Sequence, residues 1–189
     1  MTRQQRVAII ALVVPLVAYA ALRGGRSGRD GLANAPAAAP VMDATRPHQE
    51  RIRDFLLRAA EQMPEEHFAF RPVPEVRSFG EILAHIADTQ FYFCASVLGE
   101  ENPVSENLER THTTKADLIE VLESSFEFCD RAYALSDAEA THATEVNGRT
   151  RVPLLTLILN VAHNWEHYGN LVTYMRMQGL VPPSSAPRS

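Results

Sequence analysis

The chain has 189 residues, 46% of them hydrophobic, 22% charged and 7% aromatic, proportions that exclude a disordered, collagenous or multi-span membrane protein and leave room for one domain with a real core. The net charge is −5 and Lys115 is the only lysine, so no basic stripe exists to displace counterions and nucleic acid is not an expected partner. Two cysteines are too few for a disulfide-stapled mini-fold or a four-cysteine zinc ribbon.

Residues 7–22 form an apolar run preceded by Arg3 and Arg6. The run is short for a spanning helix and Pro15 interrupts it. With the small-x-small triplet Ala18-Tyr19-Ala20, it reads as a secretory signal. No polar region separates the triplet from the run, and Arg23, Arg26 and Arg29 follow at once, which makes an uncleaved anchor the rival reading. The expectation is therefore a signal peptide or membrane anchor over residues 1–22. Export to the periplasm or the outside follows, with membrane contact only through residues 7–22. Residues 23–44, rich in Gly, Ala and Pro, read as a flexible linker, and the folded domain as residues 45–185.

Apolar residues at three- and four-residue steps predict four helices. The first spans about residues 46–62, capped by Thr45 with Pro47 in its first turn, and carries Ile52, Phe55, Leu56 and Ala59. The second starts at Ser78, where Ser78 and Glu81 have capping-box spacing, and stops at Gly99. After a long connection, a third helix runs from Thr114 to about Leu135, with Leu118, Leu122, Phe126 and Cys129 on one face. Asn147-Gly148 between two short β-prone runs predicts a small hairpin. The fourth helix starts at Pro153 and ends near Gln178, with Gly179 as its cap. Four amphipathic helices in one domain define an all-α helical bundle.

Seven histidines are present, and His48, His67, His112 and His142 fall in loops or at helix ends. His163 and His167 lie four apart on the last helix, which stacks their rings on one face within reach of one cation. At 100° per residue they share a strip with Thr156, Asn160, Asn170 and Tyr174, opposite Leu154, Ile158, Val161, Trp165, Tyr168, Val172 and Met175. Glu166 is the only charged residue between Val152 and Met175. A polar, uncharged strip suits the wall of a cleft, although a solvated face with an apolar core behind it reads the same pattern. His85 stands one turn after Glu81 on the second helix and matters only if it meets the other two in space.

The run Ser78-Phe79-Gly80-Glu81-Ile82-Leu83-Ala84-His85, followed by His163-Asn164-Trp165-Glu166-His167-Tyr168-Gly169 and Gly179-Leu180-Val181-Pro182-Pro183, resembles the DinB-like (damage-inducible) superfamily. Phe70-Arg71-Pro72 also matches its pattern. The resemblance covers about residues 45–185 and implies a four-helix bundle with an up-down-down-up path. It implies a divalent metal site at His85, His163 and His167, with zinc the first expectation and nickel, iron or manganese as alternatives. It further implies a small-molecule substrate, in some relatives with a low-molecular-weight thiol. On that reading Asn160, Asn164 and Asn170 orient ligands or substrate, and Glu166 or Glu81 steadies the ligating rings.

In the parallel helices that this path implies, Cys94 and Cys129 stand level, which permits a disulfide in an exported chain. Two small buried apolar residues are the alternative. The leading functional expectation is an exported metalloprotein of thiol transfer or metal-assisted hydrolysis. The rival is a non-catalytic bundle whose histidines only form hydrogen bonds. A homodimer is a further expectation, since small bundles often pair.

Overall fold

Helix α1 spans Pro40–Gln62 and so begins earlier than the sequence suggests, with Pro47 inside it. Its first backbone donors are satisfied from far along the chain: Val41 N and Met42 N donate to the Asp137 carboxylate at 3.0 and 2.9 Å. Thr45 is not the cap; its hydroxyl donates to Val41 O. The early start buries Met42 completely. The structure, a computed structural model, describes residues 39–146 and 149–187. The apolar segment at residues 7–22, the linker up to residue 38 and the Asn147-Gly148 turn lie outside the described residues. Among the described residues, no helix is long and apolar enough to cross a membrane.

Helix α2, Phe79–Leu98, has the expected capping box: Ser78 Oγ accepts from Glu81 N, and Ser78 N donates to the Glu81 carboxylate. It ends at Gly99, whose φ of 69° is left-handed backbone that favours glycine. The long connection that follows contains a short helix α3, Leu108–Thr111, capped by Asn107. Helix α4, Lys115–Tyr133, is capped by Thr114, and a short α5, Asp137–Thr141, has its own capping box from Ser136 and Glu139. Strands β1, Thr144–Val146, and β2, Arg149–Arg151, pair antiparallel with Glu145 opposite Thr150. Helix α6, Pro153–Met177, completes the bundle.

Side-chain contacts fix the helix directions. A Cβ at Gly80 would come within 3.1 Å of Leu118, so the starts of α2 and α4 meet. Cys94 and Cys129, late in the same helices, are joined by a disulfide with Cα atoms 5.3 Å apart. Thus α2 and α4 run parallel. The Lys115 ammonium at the start of α4 donates to Glu61 O and Met63 O at the end of α1, so α1 opposes them. Tyr174 near the end of α6 donates to Arg77 O just before α2, while Asn160 in the first half of α6 lies beside Cys94, so α6 also opposes α2. The path is up-down-down-up.

The core falls into two apolar clusters, one around Leu56, Phe79, Phe126 and Leu171, the other around Met42, Cys94, Cys129 and Leu157. Between them, by position along each helix, α1, α2, α4 and α6 each contribute one buried polar residue: Gln49, Gln90, Ser125 and Asn164. Gln90 Oε1 accepts from Gln49 at 3.0 Å and from Asn164 at 3.3 Å, and Gln90 Nε2 donates to Ser125 Oγ at 2.9 Å. This layer corrects the two strips drawn for the last helix. Asn160 and Tyr174, assigned to the polar strip, face inward, while Ile158, assigned to the apolar strip, is 49% exposed along with Leu155 and Leu159. Hydrogen bonds from the amide nitrogens offset part of the cost of burial, while Gln49 Oε1, Asn160 Oδ1 and Asn164 Oδ1 have no partner among the described residues.

Candidate metal centre

Antiparallel α2 and α6 bring His85 to the level of His163 and His167. His163 Nε2 lies 3.2 Å from His85 Nε2 and 3.0 Å from His167 Nε2. One nitrogen from each ring lies within 4.8 Å of the others. Three nitrogens bound tetrahedrally to zinc at its usual bond length stand about 3.3 Å apart. The two distances from His163 are close to that.

The other ring nitrogens decide where the lone pairs point. His85 Nδ1 lies 3.5 Å from Glu109 Oε1, the carboxylate that also accepts from Arg77 Nε at 3.1 Å. The Thr89 hydroxyl donates to His85 O at 2.8 Å, so its oxygen is free to accept from His163 Nδ1 at 3.4 Å. With Nδ1 of both rings protonated toward these acceptors, the Nε2 lone pairs of His85 and His163 face one another. Two lone pairs at that separation repel unless a cation lies between them. His167 Nδ1 is buried and has no partner among the described residues, so its proton can sit on either nitrogen.

All three rings are held neutral. Burial pushes His85 down to about 4, with the nearby Arg77 charge and the other two rings acting in the same direction. His167 is pushed down to about 4, chiefly by burial and by His163. Burial also lowers His163, opposed by Glu166 and Asn164. Neutral imidazole is the metal-binding form, so the donor set fits a borderline divalent ion such as zinc.

A cavity of about 550 Å³ opens beside the centre, with His167 in its wall. Glu81, Glu109, Asn170 and Tyr174 supply polar groups, and Val76 and Ile82 an apolar side.

The other site expectations fare differently. Asn164 lies in the buried layer, bonded to Gln90. Asn160 is not brought to the histidines: it donates to Tyr133 Oη at 3.2 Å and abuts the disulfide sulfurs. Glu166 is exposed and reaches His163 and His167 only through its charge. Glu81 caps α2 and pairs with Arg71. The groups that touch the candidate ligand rings, Thr89 and Glu109, were not singled out in the sequence. Glu109 is 24 positions from His85, in the short helix α3, and nothing local marks it.

A family model described as the DinB superfamily matches residues 48–171, and the chain belongs to that superfamily. Two solved structures share the fold. A DinB-like protein from Bacillus subtilis is 17% identical with a TM-score of 0.57, over 77% of this chain and 99% of that one. A DinB-like protein from Bacillus cereus ATCC 10987 is 16% identical with a TM-score of 0.61, over 75% of this chain and 95% of that one. No curated protein matches the sequence.

Proposed function

We propose that the chain is an exported metal-dependent enzyme acting on a small molecule by thiol-dependent transfer or metal-assisted hydrolysis. The observation that carries this reading is the convergence of three neutral imidazoles, from two helices, on one point at a cavity wall. His85, His163 and His167 hold the ion, with zinc first and nickel, iron or manganese as alternatives. When bound, such an ion supplies Lewis acidity, lowering the pKa of a water or thiol ligand and polarising an electrophile.

The chain's own residues supply the rest. Glu109 and Thr89 orient the His85 and His163 rings through their Nδ1 protons. Glu109 uses Oε1 for both Arg77 and His85, which ties the guanidinium to the ring. Val76 and Ile82 give the cavity an apolar side. Export is supported by the Cys94–Cys129 bridge, since such disulfides persist in oxidising compartments.

Metal analysis of purified protein tests the reading. Wild type is expected to carry close to one divalent ion per chain, and His85→Ala and His163→Ala each to lose it. Substoichiometric metal, unchanged by those substitutions, points instead to a non-catalytic bundle. Export is checked by the cell fraction that holds the protein and by the mass of its N-terminal peptide.

A further inference from the structure

The cavity wall carries two arginines, and only one is fully engaged. Arg71 donates through Nη1 to Val76 O at 3.3 Å and through Nη2 to Glu81 at 2.9 Å. Arg77 donates only through Nε, to Glu109 at 3.1 Å, and among the described residues its two terminal nitrogens make no hydrogen bond. Its backbone is fixed on both sides: Tyr174 Oη donates to Arg77 O at 3.1 Å, and the next residue is the bonded cap of α2. Glu109 thus holds the guanidinium through Nε, and the terminal fork makes no hydrogen bond among the described residues.

We propose that the free fork of Arg77 is a carboxylate subsite, so that the three-histidine centre acts on small molecules bearing a monoanionic carboxylate. The proposal deepens the metal-centre reading and rests on it for the position of the reacting end of the substrate. Three observations carry it. The terminal nitrogens of an arginine present coplanar donors that match the two oxygens of a carboxylate. Arg77 stands beside the centre, since one oxygen of Glu109 lies 3.1 Å from Arg77 Nε and 3.5 Å from His85 Nδ1. The charge balance of the cavity also suits a single negative charge. Arg71 and Arg77 against Glu75, Glu81 and Glu109 leave −1, and a divalent ion on three neutral rings turns that to +1. The apolar side formed by Pro74, Val76 and Ile82 accommodates the body of such a molecule.

Benzoate and benzamide, equal in shape and unequal in charge, are the probes. Binding is followed by calorimetry and by the Arg77 side-chain N–H resonance, in zinc-loaded wild type, Arg77→Gln and Arg77→Lys. Benzoate is expected to bind wild type at least about tenfold more tightly than benzamide, and Arg77→Gln to lose that preference. Arg77→Lys retains part of it, because the charge stays and the fork goes. Zinc content and melting temperature, recorded for each variant, separate loss of the subsite from loss of the fold. Equal binding of the two probes by wild type, or undiminished benzoate binding by folded Arg77→Gln, overturns the subsite. If wild type takes up no zinc yet benzoate still shifts the Arg77 resonance, the subsite stands and the metal reading fails.

Discussion

Glu109 is the most informative single position at the centre. Its carboxylate lies 3.5 Å from His85 Nδ1, and both side chains are mostly shielded, at 29% and 20% exposure. Two unit charges at that distance attract by about 1 kcal/mol in bulk water and by about 5 kcal/mol at the dielectric typical of a protein surface. A ligating imidazole bears only part of the ion's charge, and Arg77 draws off part of the carboxylate's field. The expected loss in Glu109→Gln, which keeps the shape and removes the charge, is therefore about 1.4 kcal/mol in zinc binding, or about tenfold, the low end of the range for residues that orient metal ligands. Competition against a chelator of known affinity measures it, with circular dichroism as the check on folding. A folded Glu109→Gln protein that binds zinc within about twofold of wild type would refute the orienting role.

Gln90→Leu strands the amide donors of Gln49 and Asn164 in the core, so it should destabilise the fold by about 2–4 kcal/mol in denaturant unfolding, and a loss below about 1 kcal/mol would show the layer to be dispensable. The Cys94–Cys129 bridge closes a separation of 35 residues, so oxidised protein should exceed reduced protein by roughly 4 kcal/mol in the same assay, and equal midpoints would contradict it. The metal-free protein should lose stability on acidification. His85 and His167 are held down to about 4 against an ordinary 6.5, so between those values the unfolded chain binds more protons. The contribution is whole above about 6.5 and drains away as the pH falls toward 4. Melting curves of chelator-treated protein check this, and the same slope in a variant lacking both rings would exclude them as its source.

Much of the fold was legible because it is written locally. The capping box at Ser78 and Glu81, the left-handed Gly99 and the Thr114 cap each need only neighbouring residues. The His163 and His167 pair is a matter of helical spacing and was visible from that alone. What stayed hidden depends on residues distant in sequence. The start of α1 is stabilised by Asp137, 96 positions away, so no signal near Pro40 announces it. The buried face of α6 includes Asn160 and Asn164, whose amide nitrogens donate to Tyr133 and Gln90, and polarity alone gives no hint of those distant acceptors. Glu109 and Thr89 acquire meaning only when α2, α3 and α6 come together. His85 joined the set through family resemblance, since its own spacing says nothing of the last helix.

X-ray absorption at the zinc edge of the loaded protein interrogates the centre itself. Three imidazole nitrogens at about 2.0–2.1 Å are predicted in wild type, with the zinc edge falling to background in His85→Ala. A shell with one imidazole or none, or one unaltered by His85→Ala, would contradict a shared three-histidine site.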